Sequence, residues 1–539
     1  MNLKAEETAA KSRLPRPLAG LTKSVISGLE GERVPFYCSV LAFVVAVILR
    51  HSLEMFSSHS SIPPVQYIHY TFFYLDIAVA LILMLHAVTG EKVSLVAKSV
   101  LPSFILVAIP PMLDILISGG KGYSMAYMLP LLRPNLPLRL VTFFGPLDEK
   151  GFTPGMRIEV FLAMCGAFLY SHHKTRRILR SLLAALLLYL IVFVFGCFPF
   201  LVKGVLRLLH YEYVFNPPLA ISFYMFFLFL FLVPMAYRLD RRLFVNIMKD
   251  IRWMRTLHFE LMFLLGLTLG RNEMEVVVTP ENMFSFLFVP IAIVFAFQFA
   301  VITNNLSDIE IDRISNPKRP LFNPEVDPRA YRLVGWLFLA GALAYAGAAD
   351  FVSLKAILCF VAGYFVYSMP PIRLKRVPVL SKLIISINSI ALIVAGYATA
   401  GGQILNLPRA IMIYFLVYFT LAANFIDLKD HEGDKASGIK TLPVLLGLRS
   451  SKAVIGAFFC LAYAALFRVF PETWVKGILI LAGVAQIALI NRRSYYETPV
   501  FLVYLASIVG FIGYLYFLAP ASFLSHTPWR AVFFGLATE

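Results

Sequence analysis

Two acidic clusters, each following directly on a long apolar run, carry the residues best placed to do chemistry. The first reads Asn304-Asn305-Leu306-Ser307-Asp308-Ile309-Glu310-Ile311-Asp312; the second reads Asp427-Leu428-Lys429-Asp430-His431-Glu432-Gly433-Asp434. Asn304, Asp308 and Asp312 recur every four residues, as do Asp430 and Asp434, and Asp427 stands three before Asp430. A step of four drifts only ~40° on a helix, so each cluster turns its oxygens to one face. Carboxylates at a membrane boundary are costly unless a cation compensates them. Hard oxygen ligands suit Mg²⁺, which takes one or two carboxylates and completes its shell with water and phosphate oxygens. The pair therefore fits a shared divalent-metal site for a polyanion. Diphosphate is the natural candidate, stabilised there as a leaving group. Arg313, Lys318, Arg319, Arg373, Lys375, Arg376, Lys435 and Lys440 surround the clusters in sequence and could hold the remaining phosphate oxygens. Either cluster alone would read as solvated charge at a helix end. The common spacing, common side and basic neighbours set the two apart.

The elements that must position these residues are apolar helices. The chain has 539 residues, of which 59% are hydrophobic and only 15% charged, too little polar surface for a soluble protein of this length. Repeated apolar runs of about 20 residues read as transmembrane helices, giving an all-α, polytopic integral membrane protein. Six spans are expected before residue 240, at roughly 34–50, 67–89, 95–118, 154–172, 179–202 and 218–237. Nine more follow at roughly 258–270, 284–304, 331–348, 353–369, 380–400, 409–427, 452–470, 474–491 and 499–519. Between the two sets, 238–257 is basic and amphipathic, as expected of an interfacial linker helix. The expected division is a polar cytoplasmic leader at 1–33, a six-helix membrane domain at 34–237, the linker at 238–257 and a second domain at 258–525.

The net charge of +17 sits in short loops between apolar runs, the pattern of cytoplasmic loops beside anionic lipid. No basic stripe is interleaved with aromatics in a soluble segment, so nucleic-acid binding is set aside. With the amino terminus inside, both acidic clusters fall on the cytoplasmic side. The loop 119–153 is the weak point of that topology, since it lies outside yet carries Lys121, Arg133, Arg139 and Lys150. The five cysteines are far apart, without metal-ligand spacing, and read as apolar-helix residues.

Asn304-x-x-x-Asp308-x-x-x-Asp312, followed by Asn316-Pro317-Lys318-Arg319-Pro320, resembles the first signature of the UbiA superfamily of intramembrane prenyltransferases. Asp430-His431-Glu432-Gly433-Asp434, followed by Gly438-Ile439-Lys440-Thr441-Leu442-Pro443, resembles the second. Tyr367-Ser368-Met369-Pro370-Pro371-Ile372-Arg373-Leu374-Lys375 is similar to the loop between them. The resemblance covers about 250–525 and implies a nine-helix bundle, here preceded by about six further helices. It implies a transferase of prenyl groups, with Mg²⁺ as cofactor, a prenyl diphosphate as donor and an apolar or amphipathic acceptor of lipid or quinone-precursor type. On it, Asn304, Asp308, Asp312, Asp430 and Asp434 carry the Mg²⁺–diphosphate, with Asp427 as an extra participant. Asn304, Lys318, Arg319, Arg373, Lys375 and Lys440 contact the diphosphate, and Tyr367 faces the allylic carbon. Two departures stand out. Asn305 occupies a place where many members carry Asp, and Arg255-Thr256-Leu257-His258 replaces the usual Arg-Pro entry.

Residues 1–237 carry no comparable signature. Asp76 lies inside an apolar run, and Asp114 follows the helix-kinking pair Pro110-Pro111. Two alternatives stay open: a fusion whose amino-terminal half modifies or delivers the acceptor or product, and a cation-coupled transporter. A transporter should show broken mid-membrane helices, whereas the acids here sit at helix ends on one side.

Overall fold

The computed structural model describes residues 16–518 apart from 59–60, 62, 124–126, 129–134, 146–151, 274–275, 277, 310–311, 314–318, 323–325, 437, 468 and 471. The described residues form helices and turns only, and thirteen helices are long and apolar enough to cross a membrane. Two further long helices, Pro154–Thr175 and Trp253–Glu273, carry more charge but take their places among them. Outward faces are apolar: Leu179, Leu182, Leu183 and Leu186 on Ile178–Gly196 are exposed, as are Ile478, Leu481 and Val484 on Thr473–Ile490. Exposed leucine on that scale marks a lipid-facing surface.

The chain divides into two compact units, Met1–Arg241 and Arg242–Glu539. In the first, Pro64–Thr89 packs against Pro217–Leu239 and Ile178–Gly196, and Pro154–Thr175 lies along Ile178–Gly196. The expected span 95–118 is helical at both ends but tightens to a 3₁₀ segment, Phe104–Ala108, just ahead of Pro110-Pro111. The expected single span 179–202 is two helices, Ile178–Gly196 and Phe198–Leu208, separated at Cys197. Pro199 stands at the start of the second, where its missing N–H costs nothing.

In the second unit, starts are written locally. Asp327 and Asp350 cap Pro328–Ala349 and Phe351–Ser368 with side-chain oxygens accepting from Arg329 and Ser353 amides. Ser285–Ser307 packs against both of these helices. Trp253–Glu273 packs against Leu380–Thr399 through small residues: a Cβ on Gly266 would lie 2.0 Å from the Ile393 carbonyl oxygen, and one on Gly396 2.0 Å from that of Phe263. Two helices crossing this closely need glycine on both sides. The amphipathic stretch 238–257 is not one helix. Its first residues finish Pro217–Leu239, a separate helix Arg241–Asp250 follows, and Trp253 begins the next span. Ile247 buries against Ile302, Leu321, Val326 and Tyr331, so Arg241–Asp250 is part of the second unit's core.

Candidate active site

Backbone spacing realises both clusters. The Asp308 N–H donates to the Asn304 carbonyl at 3.0 Å and the Asp312 N–H to the Asp308 carbonyl at 2.8 Å, continuing the turn beyond Ser307. The Asp434 N–H likewise donates to the Asp430 carbonyl at 2.8 Å, and that of Asp430 to Asp427 at 3.2 Å. The helix delivering Asp427 is irregular. It runs α over Arg409–Ile413, π over Tyr414–Phe419 and 3₁₀ over Ala423–Leu428. Such segments change which face the last residues present.

The two clusters differ in electrostatics. In the first, Asp308 and Asp312 are buried and already paired. Asp308 accepts from Arg373 Nη2 and Lys375 Nζ, and Asp312 from Arg319 Nη1. Asn304 Oδ1 accepts from Ser368 Oγ at 3.0 Å and from Lys375 Nζ at 3.4 Å. Arg373 has φ 45, a left-handed conformation that an arginine adopts only under constraint. Burial pulls the Lys375 ammonium below its ordinary range, and Asp308 beside it opposes that. In the second cluster, Asp427 is buried and pairs with Lys382 Nζ at 2.5 Å. Asp430 is exposed and Asp434 half-buried, and neither makes an ion pair with a described residue. Partial burial, with the Asp427 and Asp430 carboxylates adding to it, pushes Asp434 up to about 6.

Several cations that the sequence reading left outside the site join these clusters. Arg252 Nη2 and Arg319 Nη1 both donate to Asn305 Oδ1, at 3.0 and 2.6 Å. Asn305 Nδ2 donates in turn to Asp250 Oδ2 at 2.8 Å and to the Tyr331 hydroxyl at 3.0 Å. Arg255, three residues beyond Arg252, bonds Glu497 at 3.2 Å, and Glu497 also takes Lys429. Tyr367 is half-buried, edge-on to Tyr364, and within electrostatic reach of Lys382, Asp427, Arg255 and Arg252. Burial, together with Arg255 and Arg319, drives the Arg252 guanidinium down to about 10. Asn304, Asp308, Asp312, Arg319, Arg373 and Lys375 thus come together on one side, and Asp427, Asp430 and Asp434 on the other. Between them, Arg252 bonds Asn305, Lys382 bonds Asp427, and Tyr367 is within electrostatic reach of Arg252, Arg255, Lys382 and Asp427. Lys440 is exposed and makes no ion pair among the described residues. Lys318 lies outside the described residues. For Arg252 and Arg255 the sequence signal was the positive charge of 238–257, which amphipathicity assigned to a lipid surface.

The donor set fits a divalent ion in the manner of Mg²⁺. Among the described residues no three carboxylate, histidine or cysteine side chains close around one point. An ion here would take protein ligands in ones and twos and fill its shell with water and phosphate oxygens. Asp430 and Asp434 are the carboxylates open to it, and their mutual repulsion is what a cation relieves.

Fold and site together define a multi-pass helical membrane protein with a polar cap that gathers carboxylates, guanidinium groups and lysines. The model of the UbiA prenyltransferase family matches residues 276–508. The homogentisate phytyltransferase of Synechocystis sp. is 30% identical over 232 residues, 40% of this chain and 73% of that protein. A digeranylgeranylglyceryl phosphate synthase of Methanoculleus marisnigri is 33% identical over 200 residues, 35% of this chain and 66% of its own length. A solved UbiA homolog from Archaeoglobus fulgidus, bound to GPP and Mg²⁺, shares 22% identity with a TM-score of 0.39, covering 52% of this chain and 99% of that one. The chain belongs to the UbiA prenyltransferase family, and with it to the prenyl-transferring membrane enzymes as a class.

Proposed function

We propose that the second unit, Arg242–Glu539, is a Mg²⁺-dependent prenyltransferase that moves a prenyl group from an allylic diphosphate to a lipid or quinone-precursor acceptor. The reading rests on one observation above the others: Arg252, bonded to Asn305 of the first cluster, lies beside Arg255, which is within electrostatic reach of Asp430 in the second cluster more than a hundred residues away. The names of the relatives support the chemistry, since one transfers phytyl to homogentisate and others make digeranylgeranylglyceryl phosphate.

The incoming diphosphate replaces Asp308 and Asp312 as the partner of Arg373, Lys375 and Arg319, and relieves the crowding of Arg252 against Arg255 and Arg319. Asp430 and Asp434 would hold Mg²⁺, with Asp308, Asp312, Asn304 and Asp427 as further oxygens. When bound, the ion neutralises diphosphate charge and makes it a better leaving group. The allylic C–O bond breaks with its electron pair going to diphosphate. Tyr367 offers its ring face to the cation left behind. The acceptor forms the new bond and loses its proton to solvent at the polar cap. The tail lies among the apolar helices of the bundle, where water is scarce. The basic character of the neighbouring loops supports a cytoplasmic position for this cap. The amino-terminal half, Met1–Arg241, is a separate compact unit.

The test is prenyl transfer by the purified full chain in detergent, with radiolabelled prenyl diphosphates of several lengths and an acceptor panel of homogentisate, other aromatic acids and glycerol-phosphate lipids. Product that requires Mg²⁺ is expected. Absence of both product and prenyl diphosphate binding would overturn the reading.

A further inference from the structure

The amino-terminal unit contains a cavity of about 380 Å³, lined by Pro64–Thr89, Val93–Ser103, Pro154–Thr175 and Ile178–Gly196. That is the size of a small-ligand site. Its walls are almost wholly apolar. The helix Arg16–Glu30 lies over one side and contributes Leu21, Val25, Ile26 and Leu29 from one face. This helix is fastened at its end: Glu30 accepts from Lys174 at 2.5 Å, the Tyr170 hydroxyl at 2.9 Å and Ser99 Oγ at 3.2 Å.

One polar side chain lines the cavity without a hydrogen bond to any described residue. Glu159 lines it and makes no hydrogen bond or ion pair with any described residue. The other polar groups on the wall are engaged. Ser99 and Tyr170 hold Glu30, Ser103 donates to the Val100 carbonyl, and the Tyr74 hydroxyl accepts from Arg50. Arg50 is itself bonded to Glu54 at 3.0 Å and stands within electrostatic reach of Glu159. Its charge steadies a carboxyl group in the wall while leaving that group's hydrogen bonds unfilled. An acceptor in the wall of an apolar chamber asks for a chain that ends in a donor.

We propose that this cavity binds a single-chain amphiphile with a hydroxyl head group, the chain filling the chamber and the hydroxyl donating to Glu159. A phosphate or carboxylate head would bring a second acidic group against Glu159 in an apolar wall. The site stands independently of prenyl transfer in the second unit. The chain can be isoprenoid or straight, since the wall selects for apolar surface.

The experiment uses the full chain in detergent with a photoreactive long-chain alcohol, followed by peptide mapping. The carboxylic acid of the same chain is run beside it. Geranylgeraniol and hexadecanol serve as competitors that separate isoprenoid from straight-chain sources. The variants are Glu159→Leu, which removes the acceptor, and Gly166→Phe, which fills the chamber from a wall position where an added Cβ meets nothing within 4 Å. The alcohol should label peptides containing 21–29 and 156–167, the acid about tenfold less, and both variants should lose about tenfold of the labelling. Equal labelling by alcohol and acid, or labelling unchanged in Glu159→Leu, would mean that the cavity holds bulk lipid only and would overturn the proposal. If Gly166→Phe does not fold, Glu159→Leu decides alone.

Discussion

Arg252 donates from Nη2 to Asn305 Oδ1 across 3.0 Å, which ties the entry to one helix to the start of the first acidic cluster. The same amide gives its N–H to Asp250, at 2.8 Å. Asn305 is therefore an amide for a reason: one end must accept from guanidinium groups and the other must donate to a carboxylate. A carboxylate at 305 could not do the second. Asn305→Asp should cost about 1–3 kcal/mol of stability, by setting two carboxylates face to face in a buried site. Asp250→Asn in the same chain should restore most of it. Thermal unfolding of the three variants in detergent reads the effect.

Asp308 is the common partner of Arg373 and Lys375. Asp308→Asn frees both cations and removes a metal-site oxygen. Turnover should fall about 100-fold or more. Binding of inorganic diphosphate without divalent metal should instead tighten, by about threefold or more, because the anion no longer competes with a fixed carboxylate. Equilibrium binding in the presence of a chelator separates this from a simple loss of fold, which would weaken both.

Arg252 carries its charge against burial and two neighbouring guanidinium groups. Replacing it with Met removes that conflict along with one bond to Asn305. The apo protein should keep its thermal midpoint or gain a little, while KM for prenyl diphosphate rises about tenfold. Parallel melting curves and steady-state kinetics check both halves.

The Gly266–Gly396 crossing holds together the helices that begin near Arg255 and Lys382. Gly396→Leu must push the two apart, because the added carbon meets backbone atoms. A loss of about 1–3 kcal/mol is expected. Diphosphate binding should weaken with it, since the cations at the helix starts separate. Melting and binding measured on one preparation show whether the two move together.

The clusters were legible because each is local: four-residue spacing on a helix end is written in consecutive residues. Membrane spans were legible for the same reason, from length and hydropathy. Arg252, Arg255, Lys382 and Asp250 were not, because tertiary packing alone brings them to residues 45 to 242 positions away. The local context of Asp250, Arg252 and Arg255, a basic amphipathic stretch, is shared with any helix lying on anionic lipid. The break at Cys197 was within reach, since Pro199 signals a helix start. The apolar run around it outweighed that signal. Nothing in the linear pattern distinguished Glu159 from an ordinary helix charge, because its meaning lies in the chamber it lines.

The central claim is that the two acidic clusters act as one site. A double-mutant cycle on the Mg²⁺-dependent binding of an unreactive thiolo-diphosphate analogue tests it most directly, comparing Asp308→Asn, Asp430→Asn and the pair. A shared site predicts strong coupling: each single variant weakens binding severely, and the pair is little worse than the worse single. Losses that simply add, or an Asp430→Asn variant that binds like the parent, would contradict it.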